Sequence, residues 1–306
     1  MTNPPVDVQQ YGQSIWLDFI HRNSLDNGEM QKYIDEFGVI GVTSNPAIFQ
    51  KAIGESDTYD SSISKMLDLD AYNIYEKLAI EDIQRALDLF RPIYDRTNKK
   101  DGYVSLEVSP LIANDTATTV SEALRLFKIV NRPNLMVKIP ATPAGLPAIE
   151  EAISQGVNVN VTLIFSVANY IEVAKAYIRG LERRLAAGGD ISGIASVASF
   201  FVSRIDVMID RMLENNIRAA QGRDLDAVAR SRELLGKAAI ANAKLAYKRY
   251  LEMFEGEGFA KLRAAGAQVQ RPLWASTGTK NPAYPDTIYI DTLIGKDTVN
   301  TVPPAT

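Results

Sequence analysis

Short apolar runs alternate with long helical patterns from one end of this chain to the other, and no other feature limits the fold so sharply. Strand-like stretches occupy residues 14 to 20, 38 to 44, 103 to 109, 134 to 140, 157 to 165, 194 to 202, 272 to 277 and 298 to 303. Helical patterns fill the gaps, at 27 to 37, 71 to 91, 116 to 131, 143 to 155, 167 to 187, 204 to 215 and 227 to 252. Strand followed by helix, repeated, implies a parallel sheet with crossover helices. Eight such strands imply a closed barrel, the (β/α)8 or TIM form of the α/β class. The gaps 45 to 102 and 204 to 271 are longer than one crossover requires and are expected to carry extra helices. No linker, low-complexity tract or internal repeat divides the chain, so its 306 residues read as one domain. After the last strand only "PAT" remains, and the helix that would cover strand eight is missing. The chain is therefore expected to be truncated at its C-terminus, or to have its outer layer completed by something else.

Composition removes several classes of function. With 33 basic and 37 acidic residues the net charge is −4, which leaves no electrostatic footprint for nucleic acid or an anionic membrane. The absence of cysteine excludes disulfides, thiol nucleophiles and thiolate metal sites. One histidine, His21, cannot build a multi-histidine metal site, and just after a strand it reads as a surface or capping residue. No window reaches the length of a membrane span, and the N-terminal segment has neither a signal core nor a basic amphipathic face. A soluble, cytoplasmic protein is expected. Its chemistry must rest on carboxylates, lysines, hydroxyls and amides.

The run "NLMVKIPAT", residues 134 to 142, places a lysine inside a buried strand. Side chains alternate between the two faces of a strand. Leu135, Val137 and Ile139 form an outer apolar face, so Asn134, Met136 and Lys138 point into the barrel. By the same test Ser105, Glu107 and Ser109 point inward from the third strand, with Val104, Leu106 and Val108 outward. On the fifth strand Asn158, Asn160 and Thr162 face inward, and Val157, Val159, Val161 and Leu163 outward. Asp18 opposes Ile15, Leu17 and Phe19 on the first strand. Lysine, glutamate, aspartate, threonine and asparagine thus converge near the C-terminal ends of the strands, where barrels of this kind build their active sites.

An imine is the chemistry that such a set supports. A free lysine ammonium has a pKa of about 10.4, which leaves about one in a thousand neutral at pH 7, and the neutral amine is what attacks a carbonyl. Desolvation lowers that pKa and neighbouring carboxylates oppose the shift. Once formed, the protonated Schiff base is an electron sink for breaking or making a carbon–carbon bond. Asp18 and Glu107 can serve as acid and base, with Thr162 holding a water that carries protons. A structural ion pair between Lys138 and Glu107 or Asp18 is the alternative.

The segments "WLDFI", "GVTSNPAIF", "VSLEVSP", "LMVKIPAT", "NVTLIFS", "SFFVSRID" and "LWASTGTKNP" together resemble the transaldolases, Schiff-base aldolases on a (β/α)8 barrel, over nearly the whole chain. The resemblance implies transfer of a dihydroxyacetone unit from fructose 6-phosphate or sedoheptulose 7-phosphate to an aldose phosphate, in the pentose phosphate pathway. Neither a metal nor an organic cofactor is implied. Position by position, Lys138 resembles the Schiff-base lysine, on the fourth strand. Glu107 and Thr162 resemble the pair that orients the catalytic water, and Asp18 the carboxylate that works on the substrate hydroxyl. Asn45, Asn160 and Ser199 resemble the ligands of the dihydroxyacetone hydroxyls. Arg204 and Ser276 resemble the phosphate-binding arginine and its companion.

Two comparisons within that resemblance sharpen the expectation. Many members carry an arginine two residues after the serine of the seventh strand, where this chain has Gly278, so Lys280 is expected to supply the second cation. The related fructose 6-phosphate aldolases tend to carry glutamine at the place of Glu107 and tyrosine at that of Phe201, so this chain is expected to favour transfer over free aldol cleavage. A non-catalytic sugar-phosphate-binding fragment is the competing reading, motivated by the missing helix. Sugar phosphates are the expected partners of a monomer or homodimer.

Overall fold

The computed structural model describes residues 3 to 306. Seven parallel strands form its centre: β1 (Gln13–Leu17), β2 (Val104–Glu107), β3 (Leu135–Pro140), β4 (Val159–Ile164), β5 (Ser196–Phe201), β6 (Gln270–Ala275) and β7 (Thr298–Val302). Their order, β1-β7-β6-β5-β4-β3-β2, leaves β1 and β2 at the two ends of the sheet. A short segment joins those ends: Val42 bridges Leu17 on one side and Val104 on the other, and Ile40 N donates to Ile15 O (3.0 Å) while Ile40 O accepts from Gly102 N (2.7 Å). Backbone bonds run from Thr43 N to Leu17 O (2.9 Å) and from Ser105 N to Val42 O (3.0 Å). The strand expected over 38 to 44 is therefore a short seam over residues 40 to 43, which closes the ring. Counted with the seam, β3 is the fourth member of the ring, as expected for the strand of Lys138.

The buried indole of Trp16 lies against the seam. A Cβ on Gly41 would come within 2.6 Å of that ring, so only glycine lets the chain pass between β1 and β2 here.

Helices follow the strands as the alternation predicts, including Glu29–Phe37, Thr116–Val130, Gly145–Ser154 and Val167–Ala186. The last of these shows how the sequence specifies each one. Ser166 caps it by accepting from Asn169 N, and Arg183 and Arg184 fall in its last turn, where cations suit the helix dipole. Tyr170, Val173, Ala174, Tyr177 and Leu181 recur at helical spacing and are buried against the sheet. Each large side chain so removed from water contributes about 1.5–3 kcal/mol.

The long gaps do carry extra helices, Pro46–Gly54 and Ala71–Arg96 in the first, Leu225–Leu234 and Ala238–Phe254 in the second. The single helix expected over 227 to 252 is broken in two at Gly236, whose φ of +68° ends any right-handed helix. His21 is a capping residue: its Nδ1 accepts from Asn23 N (3.0 Å) at the start of the helix Arg22–Asp26. Among the described residues no helix is long and apolar enough to cross a membrane.

The floor of the barrel, at the N-terminal ends of the strands, is filled by a buried ionic cluster. Arg271 on β6 pairs with Asp101 (3.0 Å), and Ser14 Oγ and Trp16 Nε1 donate to the same carboxylate (2.9 and 3.0 Å). The remaining guanidinium protons reach Thr298 O, Lys100 O and Ser14. The cavity on this side, bordered by Lys100, Arg271 and Asp297, shares no residue with the one that contains Lys138.

Candidate active site

Lys138 and Glu107 stand opposite each other in register on β3 and β2, and Asn160 on β4 is the next residue in the same row. Lys138 Nζ lies 3.3 Å from Glu107 Oε2 and donates to Ser44 O at 3.1 Å. Lys138 is 6% exposed, so its charge is met by one carboxylate and one carbonyl rather than by water. Burial pushes the Glu107 carboxyl above its ordinary value, Lys138 opposes that shift, and Asp18 adds to it.

The inward phase expected for these strands holds. Asn160 Nδ2 donates to Ser105 Oγ (3.0 Å) and its Oδ1 accepts from Ser199 Oγ (2.7 Å), which fixes the amide's orientation. The Ser199 hydroxyl keeps its lone pairs free for a ligand. Thr162 Oγ1 is buried and, among the described residues, has no hydrogen-bond partner. Native interiors rarely leave such a group unsatisfied, and those that do usually serve a bound molecule.

Asp18 lies just beyond β1. Thr43 Oγ1 donates to its Oδ1 (2.7 Å) and lies 2.6 Å from Thr301 Oγ1. A carboxylate only accepts, so the Thr43 proton is committed to Asp18 and Thr301 must donate to Thr43. Asn45 caps the helix Pro46–Gly54 by accepting from Ile48 N (3.1 Å), with Pro46 in the first helical turn. Its Oδ1 is held by that bond and its amide protons remain available.

Ten of the eleven candidate residues border one cavity of about 470 Å³ at the C-terminal ends of the strands: Asp18, Asn45, Glu107, Lys138, Thr162, Ser199, Phe201, Arg204, Ser276 and Lys280. The eleventh, Asn160, lies beneath it, fully buried and bonded to Ser199. Phe201 packs on Phe165 (centroids 5.1 Å apart), and the Arg204 guanidinium sits 5.0 Å from the Phe201 centroid, a cation–π stack. Ser276, with φ of +56°, lies 3.0 Å from Ser203 Oγ. Arg204 and Lys280 are exposed at the rim, and among the described residues neither is in an ion pair. The cavity thus has an ammonium and two carboxylates at its base and two unpaired cations at its mouth.

One expectation fails. Leu163 does not face outward: the ladder between β4 and β5 shifts register between Val161 and Ile164, Leu163 takes φ of +61°, and its side chain borders the cavity. Strict alternation cannot anticipate a bulge. Thr43, Ser44 and Thr301 were also missed. Thr43 and Ser44 flank Asn45 in "GVTSNP", and the alternation that found Lys138 could have been applied to both.

Comparison of the sequence with known proteins shows a family. The family model described as Transaldolase/Fructose-6-phosphate aldolase matches residues 15–306. A protein named Transaldolase 2 from Nostoc sp. is 52% identical over 309 residues, covering 99% of this chain and 80% of the relative. Transaldolase 2 of Nostoc punctiforme is 52% identical over 307 residues, covering 100% of this chain and 80% of that one. Transaldolase 1 of Streptomyces avermitilis is 50% identical over 297 residues, 96% of this chain and 76% of its own length. The chain belongs to the transaldolase/fructose-6-phosphate aldolase family and is an enzyme of the transaldolase type.

Proposed function

We propose that the enzyme transfers a dihydroxyacetone unit from fructose 6-phosphate or sedoheptulose 7-phosphate to an aldose phosphate, through an imine on Lys138. The observation that carries this reading is the row of Lys138, buried, and Glu107, partly buried, 3.3 Å apart, in one cavity with the unsatisfied Thr162 hydroxyl and the rim cations. Lys138 loses a proton through a water held by Glu107 and Thr162 and attacks the ketone carbon, and the carbinolamine leaves water to give a protonated imine. Asp18 takes the proton of the hydroxyl on the fourth carbon. The bond between the third and fourth carbons then breaks, its electron pair passes to the imine nitrogen as an enamine, and the aldose phosphate departs. The enamine attacks the acceptor's aldehyde, which regains a proton from Asp18, and hydrolysis of the new imine restores Lys138.

Asn45 and Ser199 hold the hydroxyls of the three-carbon unit, Asn160 orients Ser199 from beneath, and Arg204, Ser276 and Lys280 hold the phosphate. Gly278 supports the role of Lys280: a Cβ there would lie 3.1 Å from Pro303 Cγ, so a longer side chain at 278 is crowded. Transfer is favoured over free aldol cleavage because Phe201 brings no hydroxyl to activate water against the enamine while it waits for an acceptor. The setting is the cytoplasmic pentose phosphate pathway, for a monomer or homodimer.

Borohydride reduction in the presence of fructose 6-phosphate, followed by peptide mass mapping, tests the proposal. A dihydroxyacetone-derived adduct on Lys138 is expected. A folded protein that yields none reduces Lys138 to a structural charge. Release of free dihydroxyacetone without acceptor, as fast as transfer, would move the assignment to an aldolase.

A further inference from the structure

Two buried aspartates on the helix Ser203–Ala220 have no part in the chemistry above. Asp206 and Asp210 are four residues apart and share one face of the helix. Each divides its two oxygens in the same way. Asp206 Oδ1 accepts from Ala239 N (2.7 Å) and Oδ2 from the Tyr289 hydroxyl (2.6 Å). Asp210 Oδ1 accepts from Gly236 N (3.0 Å) and Oδ2 from the Tyr284 hydroxyl (2.7 Å). One oxygen of each thus holds the turn between Leu225–Leu234 and Ala238–Phe254, and the other holds the segment that follows β6. Gly236 is shaped for this: a Cβ there would lie 2.9 Å from the Tyr284 ring. A carboxylate suits four incoming donors because it presents only acceptors.

The tied segments both end at the rim of the cavity. Arg204 is two residues before Asp206, and Lys280 is four residues before Tyr284. Residues 278 to 287 are otherwise loosely held. Among the described residues, apart from bonds to the adjoining turn at 288 to 291, the bond from Tyr284 to Asp210 is the only hydrogen bond tying this stretch to another part of the chain. Lys280 would therefore be free to wander from Arg204 without that rung.

We infer that Asp206 and Asp210 are positioning residues which, through Tyr289 and Tyr284, set the separation of Arg204 and Lys280 and so preorganise the enzyme for the phosphate of its donor. The inference rests on the phosphate reading proposed above. A pair of cations held in place before binding gives up less freedom when the anion arrives, which lowers the KM without touching the bond-breaking step. Donors without a phosphate gain nothing from it.

Tyr284→Phe removes one oxygen and leaves the ring seated on Gly236, so the fold has little reason to fail. Three measurements on this variant, and on the double variant Tyr284→Phe/Tyr289→Phe, test the inference. Amide hydrogen exchange should accelerate in 278 to 287 with the strands unchanged. The KM for fructose 6-phosphate should rise by about tenfold, the loss of one hydrogen bond to a charged group. The kcat, and both constants for unphosphorylated fructose, should stay as they are. Unchanged exchange would overturn the inference, as would an equal loss with both donors. If the native enzyme turned over neither donor, the proposed reaction would fall, and inorganic phosphate would then decide: weaker binding by Tyr284→Phe supports the positioning role, and equal binding overturns it.

Discussion

Lys138 and Glu107 occupy matching positions on neighbouring strands, and among the described residues the ammonium's one hydrogen bond besides is to the carbonyl of Ser44, the last residue before Asn45. The lysine is thus balanced by a single negative charge whose own proton affinity is displaced. Because burial is the larger influence on Glu107 and Lys138 only opposes it, the carboxyl keeps its proton to a higher pH than an exposed glutamate, whose pKa is about 4.3. The acid limb of kcat/KM should therefore lie above the usual carboxylate range. In Glu107→Gln, activity should fall by about 10²–10⁴ and be flat across that limb. Stability moves with the same group. A folded-state pKa above the unfolded one gives a contribution that is complete below the unfolded value and lost as pH rises through the folded one. The Tm difference should accordingly shift in favour of Glu107→Gln with rising pH. A pH profile shared by native and variant enzymes would remove Glu107 from the proton path.

Thr43 is expected to matter although it touches no substrate atom in the proposed scheme. Its proton is committed to Asp18 Oδ1, so Thr43→Val frees that carboxylate to turn and changes its basicity at nearly constant volume. A loss of kcat of about tenfold, with KM little altered, is the expected cost of one charge-assisted bond. Steady-state kinetics with fructose 6-phosphate and erythrose 4-phosphate measure it. A change confined to KM would place Thr43 in binding instead.

Lys280→Ala separates the two cations at the rim. Removing an exposed point charge should raise the KM for phosphorylated donors by about tenfold, with little change for unphosphorylated ones. The contrast between the two donors is the measurement. Equal effects on both would show that the lysine acts on the loop and not on the phosphate.

The floor of the barrel invites a test of stability. Asp101→Ala leaves the Arg271 guanidinium buried without its carboxylate, and Ser14 and Trp16 without an acceptor. A loss of about 3–5 kcal/mol in urea unfolding is expected, and the pair Asp101→Ala/Arg271→Met should recover much of it. A single variant within about 1 kcal/mol of native would mean that water reaches the floor.

Much of the site could be read from alternation because it is built on regular strands. Glu107, Lys138, Asn160 and Thr162 fall on the inner face by simple counting, and their neighbours fall on the outer one. What escaped was set by contacts distant in sequence. The seam passes the Trp16 indole on the adjacent strand only because residue 41 is glycine, a contact that no local pattern announces. Leu163 turns inward at a bulge set by its pairing with β5. Asp206 and Asp210 look like the solvated face of a helix until Tyr284 and Tyr289, over 70 residues later, cover them. Helix bounds suffered in the same way, with Gly236 dividing a pattern that is continuous in hydrophobicity.

The sealed floor carries a consequence for time as well as for stability. Arg271 and Asp101 stop the barrel at one end, so whatever visits Lys138 comes and goes by the other. A vessel with one mouth has to empty before it can be refilled. In the proposed reaction, an aldose set free by cleavage and the aldose that replaces it would have to use the same mouth in turn. Arrival order would then need no gate, because both share one door.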